Sequence, residues 1–290
     1  MKKRLITIEI DYTPPLDWAF LLRYLKHRAT PGVESVSGEC YTRTFQIDKQ
    51  IGIVSISHHP SEPRILVEVP ASFRKHEVHI VERIRRMFDL DVDLSAVHAV
   101  LNADEHLRPM IANAPGLRIP AAWCPFEMLA RTIVGQQVSV RGASTIMGRI
   151  VSRLGEPIGD QFLFPTSHAL ATGNLDGIGM PGKRVIALQN VARVIATNAI
   201  PFPDKDALLK LPGIGPWTVE YFAMKAMGEA DAWPGTDLVL KRVVESLAGS
   251  SNIASVTDRW KPYRAYAAMH LWLHSATALQ PTQVRASVEA

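Results

Sequence analysis

The stretch that decides the fold is Leu211-Pro212-Gly213-Ile214-Gly215-Pro216-Trp217-Thr218. Pro212 predicts the end of one helix, because proline has no backbone N–H, and Pro216 suits the first position of the next helix. The two glycines between them tolerate positive φ and, lacking a Cβ, let another backbone approach closely. The first amides of the second helix have no acceptor within that helix and suit a phosphate. A tight connection with no chemical role explains the same residues, so the stretch alone predicts only a helical hairpin.

A carboxylate and two aromatic side chains follow this hairpin. Trp217 and Tyr221 are four residues apart on the second helix, so they share one face. That helix is predicted over 216–227, and the loop over 229–236 can extend to about 26 Å, which is enough to bring Asp237 back beside the hairpin. Each residue also has an ordinary structural explanation, since Asp237 can cap the following helix and the rings can belong to the core. Their combination with the hairpin favours a functional site.

The two parts of the chain show different periodicities. Alternating apolar residues predict strands over 5–10, 43–47, 51–56 and 64–69, and helical spacing predicts helices over 17–25 and 79–88. No convincing strand occurs between 120 and 290, where helices are predicted over 125–134, 140–154, 185–197, 204–210, 216–227, 238–247 and 263–273. We therefore predict the α+β class, with an α+β domain and its linker over 1–116 and an all-α domain over 117–290.

Composition excludes several classes of protein. The chain has 290 residues, of which 47% are hydrophobic and 21% charged, which excludes a disordered chain. Cys40 and Cys124 are the only cysteines, which excludes a disulfide scaffold, and no apolar run approaches the ~18–20 residues of a membrane span. We expect a soluble, cytosolic protein. The net charge of +4 comes entirely from 117–290, where 17 Lys and Arg outnumber 13 Asp and Glu, and it only weakly indicates a polyanionic partner.

The motifs resemble those of a known family. The segment 211–215 followed by Asp237 is similar to the helix-hairpin-helix, Gly/Pro-rich loop and aspartate signature of DNA base-excision glycosylases, and most closely to the bacterial DNA-3-methyladenine glycosylase II group. The match continues in order along nearly the whole chain, through the segments 14–18, 115–120, 133–140, 164–166, 179–181, 260–267 and 270–272.

The resemblance implies a TATA-binding-protein-like N-terminal sheet layer and a helical body of two lobes with the active cleft between them. It implies that Asp237 is the catalytic carboxylate, with a flipped base held between indole and phenol rings. The residues implied to line the base pocket are Trp217, Tyr221, Trp272, Tyr24 and Leu238. Those implied to contact DNA are Gly213, Ile214, Gly215, Thr218, Gln136 and Gln137. The backbone of Leu209, Leu211 and Ile214 is implied to bind one sodium or potassium ion.

Two positions depart from the family pattern. Gln137 is polar where the best-known member type has an apolar wedge, and Leu238 stands where an aromatic residue is expected. Pocket breadth and wedge strength are therefore open questions at the level of sequence.

The implied chemistry suits these residue types. A base must leave the duplex before its glycosidic bond can be reached. An alkylated purine is a cation, and an aromatic face attracts it by about 0.5–2 kcal/mol. One carboxylate, Asp237, can then stabilise the oxocarbenium-like sugar and activate water. Trp217 occupies the position where strand-cleaving relatives carry a Schiff-base lysine, so a monofunctional hydrolase is expected. Lys225, the nearest lysine, is interpreted as solvated or facing a phosphate.

These inferences predict a DNA glycosylase of base-excision repair that releases bases of the 3-methyladenine and 7-methylguanine type and leaves an abasic site. No cofactor is expected, since two cysteines cannot hold a four-cysteine iron–sulfur cluster. The predicted partner is double-stranded DNA with a flipped alkylated base, bound by a monomer associated with the bacterial nucleoid in the cytoplasm, without a membrane. Two alternatives remain open: a glycosylase of the same fold for deaminated or oxidised bases, and a non-enzymatic DNA-binding protein that uses the hairpin alone.

Overall fold

The computed structural model describes residues 4–249 and 253–278. Its strands are β1 (Leu5–Asp11), β2 (Glu34–Ser37), β3 (Cys40–Ile47), β4 (Gln50–His58), β5 (Arg64–Pro70), β6 (Pro157–Ile158) and β7 (Gln161–Phe162). The first helices are α1 (Trp18–Arg28), α2 (Glu77–Met87), α3 (Leu94–Leu101), α4 (Leu107–Asn113), α5 (Pro125–Gly135), α6 (Val140–Leu154) and α7 (Ser167–Thr172). The later ones are α8 (Gly182–Ala196), α9 (Lys205–Leu209), α10 (Pro216–Phe222), α11 (Leu238–Ala248), α12 (Ile253–Asp258) and α13 (Arg264–Ala278). A 3₁₀ turn (Ala71–His76) precedes α2, and a π-helical turn (Ala223–Met227) continues α10.

The N-terminal layer is a five-stranded antiparallel sheet in the order β1-β5-β4-β3-β2. Its register places Ile8 opposite Val67, Val67 opposite Ile56, and Ile56 opposite Tyr41. This row is buried and belongs to one core with α1 and α2, which explains the alternation of apolar residues in the sequence. The four predicted strands are confirmed. The sequence did not predict β2, because its four residues, ESVS, are too few and too polar to show alternation.

The helices bury two further cores that meet at α10 and the π-helical turn. One core draws mainly on α5, α6, α7 and α8, and the other on α3, α4, α11 and α13. Phe222 packs in the first core, whereas its neighbours Ala223 and Met224 pack in the second. The hairpin that precedes α10 is therefore positioned at the junction of two lobes.

Residues on both sides of position 116 share the second of these cores. Leu101 of α3 and Met110 of α4 pack there with Val244 of α11 and Leu271 of α13. Trp123, which follows position 116, instead packs with the core of the sheet layer. The boundary at 116 stays a prediction, and the two regions that it separates are joined by extensive packing.

The helical part of the chain contains one short strand pair, β6 and β7, which turns at Gly159 with φ of 64°. The prediction of no strand between 120 and 290 is wrong for this pair, because strands of two residues are too short to show a periodicity. Within 4–249 and 253–278, none of the helices has both the length and the apolar character needed to cross a membrane.

Candidate active site

The helical hairpin joins α9 to α10 through the segment 210–215. The Ile214 N–H donates to the Leu211 carbonyl at 3.1 Å, which closes the turn. Gly213 adopts φ of 85°, and a Cβ there would lie 2.6 Å from the Cβ of Ala187 in α8. Gly215 has φ of −106° and precedes α10 as its N-cap, without a side chain that caps the helix. The structure therefore requires a residue without a side chain at Gly213, as predicted. No side chain caps α10, so its first amides are left for an external acceptor.

Gln136, at the end of α5, holds this turn in place. Its Nε2 donates to the Gly213 carbonyl and to the Thr218 hydroxyl, each at 3.1 Å. Gln137 follows it with φ of 56° and an exposed side chain. In this arrangement Gln136 positions the hairpin, whereas the side chain of Gln137 is exposed. Contact of either glutamine with DNA stays a prediction.

Asp237 lies between two indole rings at the start of α11. Its Oδ2 accepts from Trp217 Nε1 at 3.0 Å, and its Oδ1 accepts from Trp272 Nε1 at 3.2 Å. Oδ1 also accepts from the backbone N–H of Val239 at 3.0 Å and of Leu240 at 3.1 Å. The carboxylate thus caps α11 and at the same time lies among the aromatic side chains with which the sequence grouped it. The cap is observed, and the catalytic role stays a prediction. Four donors orient it while the residue stays partly exposed to solvent.

The four predicted aromatic residues form one continuous cluster with this carboxylate. The rings of Trp217 and Tyr221 stack with centroids 5.2 Å apart and planes 14° apart. Trp272 meets Tyr221 edge-on at 5.9 Å, and the Tyr24 hydroxyl lies 3.4 Å from that of Tyr221. Because Trp217 and Tyr221 stack directly on each other, a base cannot lie between them in this arrangement. It can contact only their outer surfaces and the neighbouring rings, and the expected position of the base between an indole and a phenol ring stays a prediction that would involve Trp272 or Tyr24.

Lys225 is buried, and its interpretation as a solvated or phosphate-facing residue is wrong. Its side chain is 1% exposed, with Nζ 3.2 Å from Met269 Sδ and 4.8 Å from the centroid of the Tyr24 ring. Burial lowers the pKa of Lys225. Burial alone would raise the pKa of Tyr24, but the positive charges of Lys225 and Arg28 outweigh it and lower that pKa to about 7. The Arg28 guanidinium lies 3.9 Å from the same ring centroid.

Exposed apolar residues surround the cluster and the hairpin. Leu238, predicted to line the base pocket, is 67% exposed, next to Asp237. Val138 and Val140 flank the Gln137 loop, are 36% and 44% exposed, and were not predicted as site residues. The signal for them was two β-branched apolar residues at the solvent-facing start of an amphipathic helix. Isolated exposed apolar residues are common, so this signal is weak in a sequence.

A cavity of about 310 Å³ lies away from Asp237, between the end of α2 and α13. Lys225, Asp89, Arg85, Arg86 and Tyr266 are among the residues that line it. Burial raises the pKa of Asp89 to about 6, although the Ile119 N–H and the Tyr266 hydroxyl donate to its carboxylate. The sequence did not predict this cavity, because its lining residues come from four separate segments of the chain. In the part of the chain that the structure describes, no group of three or more His, Cys, Asp or Glu residues can hold a metal ion.

Comparison with solved structures defines the class of fold. The chain aligns with the 3-methyladenine DNA-glycosylase from Archaeoglobus fulgidus at a TM-score of 0.79 and 21% identity, covering 93% of this chain and 98% of that one. It aligns with MBOgg1 in complex with a low affinity DNA ligand at a TM-score of 0.74 and 18% identity, over 97% and 98% of the two chains. The protein therefore has the fold of the helix-hairpin-helix glycosylases, and the predicted α+β class is confirmed.

Comparison with curated proteins defines its relatives. Residues 7–124 match the AlkA N-terminal domain family. The chain is 32% identical over 282 residues to the probable bifunctional transcriptional activator/DNA repair enzyme AlkA of Mycobacterium tuberculosis, covering 92% of this chain and 56% of that protein. It is 29% identical over 276 residues to DNA-3-methyladenine glycosylase 2 of Escherichia coli, covering 91% of this chain and 95% of that protein.

The chain is thus similar to AlkA and to DNA-3-methyladenine glycosylase 2, and its residues 7–124 match the AlkA N-terminal domain. The resemblance found in the sequence is confirmed. The chain spans about half the length of the first of these curated relatives, at 56%.

Proposed function

We propose that this protein is a monofunctional DNA glycosylase of base-excision repair, which hydrolyses the N-glycosidic bond of alkylated bases in duplex DNA. The observation that carries the proposal is the position of Asp237, whose carboxylate accepts from the indole N–H groups of Trp217 and Trp272 beside the helical hairpin. The names of the E. coli and A. fulgidus relatives specify 3-methyladenine as the base on which those proteins act, and this supports the same class of substrate here.

The reaction needs little acid catalysis when the leaving base is already a cation. The electrons of the glycosidic bond pass to the base, which leaves as a neutral molecule, and the sugar develops positive charge at C1′. The Asp237 carboxylate stabilises this charge and accepts a proton from the attacking water, so that an abasic site and a free base result. Its four hydrogen-bond donors keep the carboxylate oriented. The remaining aromatic surfaces attract the cationic base.

The hairpin supplies the DNA contact in this proposal. The first amides of α10, that of Thr218 among them, face a phosphate, with the exposed Gln137 and Leu238 at the rim. The Thr218 side chain itself is buried, and its hydroxyl accepts from Gln136. The carbonyl groups of Leu209, Leu211 and Ile214 have the oxygen chemistry that sodium and potassium ions prefer, and the Leu211 carbonyl keeps a second lone pair beside its bond from Ile214. These three residues would hold such an ion, which would add positive charge beside the phosphate. We place the protein, as a monomer, with the bacterial nucleoid in the cytoplasm.

The test compares Asp237→Asn with Asp160→Asn, a matched change at an exposed aspartate of the β6–β7 turn. Both proteins are incubated with methylated duplex DNA, and released 3-methyladenine and 7-methylguanine are measured by mass spectrometry. We expect Asp237→Asn to lower release by about 100-fold or more while fluorescence anisotropy shows unchanged binding to DNA. Asp160→Asn should match the unaltered protein. Full release by Asp237→Asn would refute the proposal.

A panel of duplexes separates the alternatives. Release of only deaminated or oxidised bases would show a glycosylase of the same fold with another substrate class. Binding to duplex DNA without release of any base would show a protein that uses the hairpin for binding alone.

A further inference from the structure

The cavity of about 310 Å³ is a compartment separate from the candidate active site. Neither Asp237 nor any ring of the aromatic cluster lines it. Lys225 links the two, because it lines the cavity while its Nζ lies 4.8 Å from the centroid of the Tyr24 ring. The volume is at the small end for a ligand pocket and corresponds to roughly ten water molecules, or to one bicyclic ring system of about ten heavy atoms.

The buried ammonium of Lys225 has donors to spare. The residue is 1% exposed, and its Nζ has the Met269 thioether, a weak acceptor, at 3.2 Å. Within the part of the chain that the structure describes, Lys225 forms no ion pair. An ammonium carries three N–H donors, and burying them with one weak acceptor is costly. An occupant of the cavity with an acceptor atom would supply the missing hydrogen bond.

Asp89 presents an unused acceptor to the same cavity. Its Oδ2 accepts from the Ile119 N–H at 3.1 Å and from the Tyr266 hydroxyl at 2.9 Å, so the carboxylate is held in one orientation. Its Oδ1 takes no hydrogen bond from the residues that the structure describes. The cavity therefore offers an occupant one fixed acceptor as well as the Lys225 donors.

The charges around the cavity balance, which favours a neutral occupant. Three cations and three carboxylates line it, namely Arg85, Arg86, Lys225, Glu82, Asp89 and Asp91. Arg85 is paired with Asp91 at 2.5 Å. An anion would be attracted by Lys225 but would lie beside the Asp89 carboxylate, and a cation would meet the opposite conflict. A neutral molecule with both an acceptor and a donor satisfies the two groups together.

Apolar groups form the rest of the lining. Met224, Ile119 and the ring of Tyr266 are buried there, with Ala121 and the backbone of Gly228 beside them. A thioether and an aromatic ring both pack well against a flat ring system. The occupant that these walls fit is therefore flat and apolar on its faces, with its polar atoms on an edge.

We propose that this cavity is a second binding site, separate from Asp237, for a free purine-type base that accepts from Lys225 and donates to Asp89. A purine edge carries an acceptor next to a donor, as N7 and the N6 amino group of adenine do, and this pair matches an ammonium beside a carboxylate. The inference rests on the proposed function in one respect, because base release is the reaction that supplies a free base.

The first experiment titrates the whole protein, without DNA, with free adenine at neutral pH in a calorimeter. Adenine can also enter the aromatic cluster, so variants assign the site. Ala121→Phe fills the cavity and Lys225→Met removes the donor, and each should weaken binding at this site by at least about tenfold. Ala121→Ser and Lys183→Met, a change at an exposed lysine, are the matched controls and should bind adenine like the unaltered protein.

The second experiment compares probes of different charge. We expect 3-methyladenine to bind like adenine, and benzoate, a flat anion, and inorganic phosphate to leave the cavity empty. Adenine affinity that is unchanged in Ala121→Phe would place the adenine in the aromatic cluster and overturn the inference. Binding of benzoate or phosphate that Lys225→Met abolishes, without binding of adenine, would show an anion site and overturn it too. Ala121→Phe decides alone if Lys225→Met does not fold.

The outcomes distinguish the inference from the proposed function. A protein that releases bases from methylated DNA but binds no free base in the cavity overturns the second site and leaves the glycosylase proposal standing. A protein that binds adenine in the cavity but releases no base from DNA overturns the glycosylase proposal, and with it the source of the ligand, while the binding site itself remains.

Discussion

Replacing Arg43 by methionine is expected to destabilise the protein by about 3–5 kcal/mol, because it leaves a carboxylate uncompensated in the interior. Arg43 of β3 forms two hydrogen bonds with Glu127 of α5, at 2.8 and 3.3 Å, and the two side chains are 2% and 1% exposed. Arg131 completes the network, with Nη1 2.8 Å from Glu34 and 3.2 Å from Glu127. These four residues join the sheet layer to α5, the helix that ends beside the hairpin.

The magnitude follows from the charge of this network. Two arginines and two glutamates cancel, so Arg43→Met leaves one net negative charge in the interior. Arg43→Met with Glu127→Leu leaves Arg131 and Glu34 as a neutral pair, and Glu34 still accepts from the Tyr41 hydroxyl and the Thr30 N–H. The double variant is therefore expected within about 1–2 kcal/mol of the unaltered protein, and more stable than the single variant.

The assay is urea unfolding, followed by circular dichroism. With a slope of about 3 kcal/mol per molar urea, a loss of 4 kcal/mol lowers the midpoint by roughly 1.3 M. Arg64→Met is the matched control, because Arg64 pairs with Glu9, Asp11 and Glu62 at the surface and should barely change the midpoint. A single variant as stable as this control, or a double variant less stable than Arg43→Met, would show that the buried charge balance does not set the stability.

Two further predictions concern the hairpin and the dependence of stability on pH. Gly213→Ala should lower the free energy of unfolding by about 2 kcal/mol and weaken DNA binding, because φ is 85° and the new Cβ would lie 2.6 Å from the Cβ of Ala187. Gly215→Ala should fold normally, because nothing lies within 4 Å of its new Cβ. Equal midpoints of urea unfolding for the two variants would contradict the argument. Burial, together with His98, lowers the pKa of His270 from 6.5 to about 4, so the fold keeps it neutral while the unfolded chain takes up a proton. The free energy of unfolding should therefore fall by up to about 3 kcal/mol as the pH drops from 6.5 through 4. In urea titrations, His270→Leu should flatten this dependence on pH. An unchanged dependence in that variant would show that His270 is not its cause.

Local sequence patterns predicted those parts of the site that depend on neighbours along the chain. The spacing of Trp217 and Tyr221 fixed a shared face, because residues four apart on a helix lie one above the other, and the rings indeed stack. The same local logic predicted Asp237 as a capping residue for α11, and this cap is observed. Boundaries of α3, α4 and β2 were not predicted, because these elements are short and their faces are defined only by distant partners.

Burial could not be predicted where it depends on which element covers a side chain. Lys225 lies one turn beyond Tyr221, on the face that α1 and α13 cover, and nothing in its neighbouring residues indicates that cover. The cavity at Asp89 likewise requires the end of α2 to meet α13 across a long sequence separation.

The sequence by itself determined an α+β layer followed by helices, the hairpin at 211–215 and the capping carboxylate, because backbone geometry and periodicity act over a few residues. Only the tertiary structure brought Trp272 to within 3.2 Å of Asp237 and the Tyr24 hydroxyl to 3.4 Å from that of Tyr221. It also decided that Lys225 lies inside, beside a phenol. These contacts join residues 35, 197 and 201 positions apart, and packing of one lobe against another, which leaves no local pattern, sets their distances and their charges.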